Sequence, residues 1–405
     1  MTTDTELTAL LERELTRQST TLTLIASENH CSPAVREACG SVITDKYAEG
    51  YPGARYYGGC EVADAIEELA RARALRMFPG VAHVNVQPHS GTTANLAALE
   101  ALAGSGGAIL GMALNAGGHL THGHPMSATG RLFAATQYGI DATTGLIDLD
   151  QIRDLAREKR PKVLIAGGSS YPRLIDYAAM KSIAHEVGAV LMADVAHPAG
   201  LMAAGVIPSA VGHADVVTMT THKTLRGPRG GMILTTAEHA KAIDRAVFPG
   251  GQGGPLLHQI AGKAVAFGEA LQPEFVAYQR EVVALAQYLA ECLAAAGLKI
   301  VTGGTDTHMV VVDLRPLGDV TGQQVEERAF AAGLVVNKNM IPGDPRPPRV
   351  TSGVRLGTPA LATRGMGRDE VRFLADTLVA LMRGTDPATL RPKVVDLCRR
   401  YPLPK

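Results

Sequence analysis

Lys223 stands in "TTHKTLRGPRGG", Thr220 to Gly231, directly after the apolar run "ADVVTMT". A lysine closing a buried strand must bury its stem and shed water from its ammonium, which lowers its pKa toward the reactive free amine. Asp194 closes another apolar run in "VLMADVAHPAG", with His197 three residues on. In "PHSGTTAN", Pro88 to Asn95, the residues Ser90, Gly91 and Thr92 turn from a strand into a helix whose first amides can point at an anion.

Taken singly, each feature has an ordinary reading: Lys223 and Asp194 as a structural ion pair, and Ser90 as the cap of a helix. Taken together, they suit pyridoxal 5'-phosphate. That cofactor asks for a lysine amine to form a Schiff base, a carboxylate to keep the pyridine nitrogen protonated, a phosphate cradle and a flat group over the ring. "GGHLTHGHP" offers His119, His122 and His124 in a glycine-rich loop. No carboxylate or cysteine accompanies them at ligand spacing, so a metal site is not favoured and His119 is the better candidate for covering the ring.

Such groups need a sheet to deliver them. "HVNVQ", "AILG", "VLIAG", "AVLMA", "DVVTM" and "GMILT" read as strands, most of them apolar throughout. "TTANLAALEALA" and "YAAMKSIAHEV" read as crossover helices, so the pattern predicts an α/β fold with a mainly parallel sheet between helices and the active site at strand carboxyl ends. After about Leu271 come the long helical pattern "PEFVAYQREVVALAQYLAECLAAAG", strands at "THMVVVDL" and "LVVNKN", and the helix "RDEVRFLADTLVALM". The expected division is an N-terminal arm with a large cofactor-binding domain over 1–270 and a smaller C-terminal α/β domain over 271–405.

The 405 residues are 46% hydrophobic, enough for a large core. Lysine plus arginine equal aspartate plus glutamate at 39 each, which argues against nucleic-acid and anionic-membrane partners and for a small molecule. Five scattered cysteines without paired spacing read as reduced thiols. With no signal-like or membrane-spanning stretch, the expected location is cytoplasmic.

The ordered segments "LIASENHCSP", "KYAEGYPGARYYGGCE", "VNVQPHSGTTAN", "GGHLTHG", "DVAHPAGLMAAG", "TTHKTLRGPRGG", "FPGGQGGP", "VNKN" and "VTSGVRLGTPA" resemble the serine hydroxymethyltransferase family over nearly the whole chain. The resemblance implies an aspartate-aminotransferase-like fold and transfer of the serine hydroxymethyl carbon to tetrahydrofolate, leaving glycine. It implies that Lys223 bonds the cofactor, Asp194 pairs with the pyridine nitrogen, His119 stacks on the ring and His197 lies near the phenolic oxygen. Ser90, Gly91 and Thr92, with Gly254 and Tyr47 from a neighbouring subunit, would hold the phosphate. That arrangement requires at least a homodimer. Thr220, Ser169 and His222 join the cofactor's surroundings, and His222 matches a position that influences substrate choice.

By the same resemblance Arg355 forks onto the amino-acid carboxylate, assisted by Ser27 and Tyr57. Glu49, set among aromatic residues, would carry a proton between substrate oxygen and folate, its pKa raised by those surroundings. The folate side would include Tyr56, Leu114, Gly118, Leu120, Asn339 and Phe248. The chain departs from the family pattern at "LNAGGHL", at Thr92-Thr93, at "DVAH" with Pro198, and in "IPGDPRPPRV", where Gly343 replaces a side-chain amide and Arg349 an aromatic residue. These changes bear on substrate and carbon acceptor. An α-methylserine hydroxymethyltransferase, a threonine-type aldolase or transaldolase, and a silent binding protein on the same scaffold are the alternatives.

Overall fold

A computed structural model describes residues 4–404. The larger sheet has seven strands: β1 His83–Asn85, β2 Ala108–Met112, β3 Ala134–Tyr138, β4 Val163–Gly167, β5 Val190–Asp194, β6 Val216–Thr220 and β7 Gly231–Thr235. Their spatial order is β1-β7-β6-β5-β4-β2-β3. The pairs β2–β3, β2–β4, β4–β5 and β5–β6 are parallel, while β7 is antiparallel to both β6 and β1. The apolar runs expected as strands are buried throughout in β4, β6 and β7, as strands covered on both faces require. Strand β3, "AATQY", was not anticipated; it lies at the sheet edge, where only its last residue is fully buried and no apolar run is needed.

This topology gathers the chemistry at one edge. Asp194 at the end of β5 pairs with Gly167 of β4 and Thr218 of β6, so the residues that follow these strands emerge side by side. Because β7 runs against β6, its first residue, Gly231, faces Thr220 at that same edge. Strand β1 runs in the sense of β6 and leads there into the helix Gly91–Ala103. The alanines of that helix, Ala94, Ala97 and Ala98, are small enough to let it lie close on Ile165, Met192, Val216 and Ile233.

The chain packs as two units, residues 31–280, and residues 1–30 with 281–405. The expected division at 270/271 differs from this in two respects. The chain leaves the helix Leu257–Ala270 at 271–272, but the boundary between the units falls further on, at 280/281, inside the helix Pro273–Ala295. The N-terminal segment belongs with the C-terminal one because Leu22–Thr23 pairs in parallel with Leu334–Val335, and Leu22 and Leu24 are buried with Leu285, Leu289, Val310 and Leu374. The second unit holds an antiparallel sheet in the order Lys299–Ile300, Met309–Asp313, Gly353–Gly357, Asn337–Asn339. Among the described residues no helix is long and apolar enough to cross a membrane.

Candidate active site

Lys223 is 9% exposed, in the loop that leaves β6. Its neighbours in the chain are pinned on both sides. The Thr221 hydroxyl donates to the Pro228 carbonyl at 2.6 Å, and the Thr221 carbonyl accepts from the Gly227 amide at 2.7 Å. The Thr224 hydroxyl donates to the His197 carbonyl at 2.6 Å and accepts from the Gly200 amide at 2.9 Å. Thr220 donates to the Ala196 carbonyl at 3.1 Å. These bonds fasten the lysine loop to the segment after β5, so Thr220, Lys223 and buried His197 share one layer. Burial, with Arg229 and Lys223 nearby, pushes His222 down to about 3, and the imidazole is therefore neutral at pH 7. Its buried Nδ1 has no hydrogen-bond partner among the described residues.

Asp194 is buried and fully coordinated by donors. Burial works to raise its pKa, but the hydrogen bond from His122 and contributions from His119 and Asn95 hold the carboxyl well below the usual carboxylate range. His122 Nε2 lies 2.9 Å from Asp194 Oδ2, and Asn95 Nδ2 donates to the same oxygen at 2.8 Å. The Ala196 amide donates to Oδ1 at 3.0 Å. Asn95 also donates to the Thr121 hydroxyl at 2.7 Å, and its own carbonyl accepts from Thr218 at 2.6 Å. The Thr121 amide donates to His119 Nδ1 at 3.2 Å, which marks that nitrogen as an acceptor, so the Thr121 hydroxyl, 2.7 Å away, donates to it as well. One network thus orients both the carboxylate and the imidazole expected to cover a ring. Burial depresses His119 to about 4, so that ring too is neutral at pH 7.

His122 and Asn95 were not among the expected site residues. His122 was visible as one of three clustered histidines, but its partner stands 72 residues away in sequence and no spacing announces it.

At the third station, Ser90 caps the helix Gly91–Ala103 in a reciprocal box: Thr93 N donates to Ser90 Oγ at 3.2 Å, and Ser90 N to Thr93 Oγ1 at 3.0 Å. Thr93, one of the departures from the family pattern, therefore completes the cap. The amides between them, on Gly91 and Thr92, are first-turn donors with no carbonyl one turn back, directed along the helix axis toward an anion. Gly91 has no room for a side chain, since a Cβ there would lie 2.7 Å from Thr220 Cγ2.

The hairpin Gly50–Tyr51 with Ala54–Arg55 carries Glu49. Arg55, buried, donates to the carbonyls on either side of Glu49, Ala48 at 3.0 Å and Gly50 at 2.8 Å, and forks onto Asp64 at 2.8 Å and Glu67 at 2.7 Å. Tyr47 OH donates to Glu49 Oε1 at 3.2 Å. Tyr47 meets Tyr57 edge-on at 5.0 Å and lies against Gly254, while Tyr56 meets Phe248 at 5.8 Å. Gln252 ties this region to the Ser90 turn: its side chain donates to the Gln87 carbonyl at 3.1 Å and accepts from the His89 amide at 2.9 Å.

Leu114 opens a short turn after β2, Leu114–Ala116, and the Gly117 carbonyl just beyond accepts from the Ser169 amide at 2.7 Å. Ser169 is thereby tied to the glycine turn that leads into Gly118 and His119, and Leu120, next in the chain, is half-exposed. Ser27, Arg355 and Asn339 belong to the other unit. There the Gly357 amide donates to the Leu24 carbonyl at 2.7 Å, which carries the Ala26–Ser27 segment alongside the Arg355 strand. Arg355 Nε donates to Asn337 Oδ1 at 3.3 Å, and burial lowers the guanidinium to about 10, still charged at pH 7. Asn339 follows in the same edge strand as Asn337. Gly343 has φ 63°, a left-handed conformation that asparagine also tolerates, so the loss of an amide side chain there preserves the turn. Arg349 is exposed.

A buried amine, an ionised buried carboxylate, a neutral imidazole and an open helix N-terminus at one sheet edge form a donor set that fits pyridoxal 5'-phosphate. The family model described as serine hydroxymethyltransferase matches residues 1–378. The chain belongs to the serine hydroxymethyltransferase family. It is 55% identical over 412 residues to a serine hydroxymethyltransferase of Acidiphilium cryptum (strain JF-5), covering 99% of this chain and 95% of that one. It is 54% identical over 417 residues to a serine hydroxymethyltransferase of Synechococcus sp. (strain JA-3-3Ab), covering 99% and 96%. The expected family and α/β fold are thus those observed.

Proposed function

We propose that this protein is an enzyme that transfers the hydroxymethyl group of serine to tetrahydrofolate, giving glycine and 5,10-methylenetetrahydrofolate. The observation that carries the reading is the buried Lys223 and the ionised, triply hydrogen-bonded Asp194 delivered to one sheet edge by neighbouring strands, within a chain that matches this family almost end to end. Pyridoxal 5'-phosphate, when bound, supplies an electron-poor ring that accepts the pair released as the bond from Cα to the hydroxymethyl carbon breaks. Lys223 would hold it covalently, and Asp194 would keep the ring nitrogen protonated. His119 would cover the ring face, with Thr220, His197, His222 and Ser169 around it. Ser90, Gly91 and Thr92 would receive the phosphate, with Gly254 and Tyr47 reaching in from a neighbouring subunit.

In the same reading Arg355 binds the substrate carboxylate, with Ser27 and Tyr57 assisting. Glu49 carries a proton at the serine hydroxyl oxygen, and Tyr56, Leu114, Gly118, Leu120 and Asn339 meet the folate. The exposed cluster of Tyr47, Tyr56 and Tyr57 supports self-association as at least a homodimer, with Tyr47 serving the neighbouring site. A cytoplasmic location belongs to the same proposal. The α-methylserine and aldolase alternatives are not favoured, because identity to the relatives stays at 54–55% along nearly the whole chain.

Borohydride treatment of the purified protein, followed by peptide mass mapping, tests the assignment. A phosphopyridoxyl group fixed on Lys223 and absent from Lys223→Ala is the expected result. The same group on another lysine would overturn it.

A further inference from the structure

Lys263 is a second buried lysine, 1% exposed, in the helix Leu257–Ala270. Its ammonium donates to three carbonyl oxygens: Val86 at 2.6 Å, Gly231 at 2.8 Å and Pro88 at 3.1 Å. Three acceptors use three N–H bonds, the pattern of the protonated form; the neutral amine loses one of them because it turns a lone pair toward one carbonyl. A buried cation is costly, and amides or water could satisfy the same carbonyls without it. The charge therefore calls for a counterpart.

The three carbonyls show where that counterpart belongs. The run 86–89 leaves β1 and has no strand ladder of its own. Gln252 holds the Gln87 carbonyl and the His89 amide, and Lys263 holds the Val86 and Pro88 carbonyls on either side of Gln87. Pro88 also accepts from the Gly231 amide at 2.9 Å, and a Cβ on Gly231 would collide with the Ser90 carbonyl. Lys263 thus staples the approach to the Ser90–Thr92 turn onto the first residue of β7, directly behind the helix N-terminus.

We propose that Lys263 is a positioning residue for the phosphate-binding turn Ser90–Thr92, and that its ammonium charge helps to hold a phosphate dianion there. The inference rests on reading that turn as the cofactor's phosphate site. Burial lowers Lys263 to about 7, with Glu67 and Cys39 acting in the opposite sense. Glu67 is already paired with Arg55, His89 and His222 both feel the Lys263 charge, and Arg73 donates to the Ala264 carbonyl beside it. A dianion bound in front of the turn raises the pKa of Lys263. At pH 8 part of Lys263 is neutral in the empty site, so binding draws a proton onto that fraction.

The test uses apoprotein and pyridoxine 5'-phosphate, which carries the phosphate but cannot bond to Lys223. Titration calorimetry in buffers of different ionisation enthalpy reads affinity and proton uptake together. Lys263→Gln keeps donors and loses the charge; it should bind about tenfold more weakly than wild type and take up less proton at pH 8. Lys263→Met, which loses the donors too, should bind more weakly again. Equal affinity and equal proton uptake in wild type and Lys263→Gln overturn the inference and leave the cradle reading standing, whereas failure of wild type to bind at all overturns both. Should the variants not fold by circular dichroism, wild type with methyl phosphate decides, because that ligand is already a dianion above pH 8. Binding without proton uptake then contradicts the inference.

Discussion

His122 Nε2 lies 2.9 Å from Asp194 Oδ2, and the amide of His119 donates to the other ring nitrogen of His122 at 3.2 Å. The ring is therefore oriented with Nδ1 accepting from the amide and Nε2 directed at the carboxylate. Its removal, in His122→Ala, should cost about 1–3 kcal/mol of stability. The pH dependence has a definite sign. Asp194 has a depressed folded pKa, so its contribution is complete above the unfolded value of about 4 and is lost as pH falls toward the folded one. Denaturant titrations should show the gap between variant and wild type at pH 7 and its narrowing below pH 4. A gap that widens with acid would count against this role.

His119 at about 4 and His222 at about 3 both lie below the ordinary 6.5. The unfolded chain binds more protons than the folded one through that window, so stability declines as pH falls from 6.5 and is undiminished above it. His222→Asn should flatten the slope between pH 4 and 6 by up to about 1.4 kcal/mol per pH unit. Identical slopes in the two proteins would show that His222 is not buried neutral.

Arg55 brackets Glu49 through the Ala48 and Gly50 carbonyls while pairing with the buried Glu67. Arg55→Met leaves that carboxylate uncompensated and should destabilise by about 3–5 kcal/mol. Adding Glu67→Gln should recover most of the stability but not folate-dependent turnover, because the carbonyls flanking Glu49 remain unheld. Recovery of both in the double variant would separate Glu49 from this network.

If Arg355 receives the substrate carboxylate, Arg355→Ala should raise the serine KM by on the order of 10–100-fold and leave cofactor affinity near wild type. Loss of cofactor with an unchanged KM is the contrary outcome.

The apolar strands, the lysine and aspartate at their ends and the Ser90 turn were legible because each is a local pattern: a run, a terminus, a cap. What was not legible depends on partners distant in sequence. Asn95 and His122 matter through Asp194, 99 and 72 residues away, and Lys263 through a carbonyl 177 residues back. The N-terminal segment was assigned to the large domain by proximity in sequence, whereas two parallel residue pairs with Leu334 and Val335 decide its packing. Strand β3 escaped notice because an edge strand with partly exposed faces needs no apolar run.

The departures at Thr93 and Gly343 look disruptive as letters. In the fold Thr93 completes a helix cap and Gly343 occupies a turn conformation that suits it, so neither disturbs the backbone.

The central claim is transfer of a one-carbon unit rather than simple cleavage, and its most direct measurement follows serine labelled with carbon-13 at the hydroxymethyl carbon. Wild-type enzyme with pyridoxal 5'-phosphate and tetrahydrofolate should move the label into the methylene bridge of the folate with one glycine formed per label, by carbon NMR. Glu49→Gln should lose this transfer while still cleaving a threonine-like substrate without folate. Cleavage of labelled serine by wild type at the same rate with and without tetrahydrofolate, releasing the label as formaldehyde, would contradict the account.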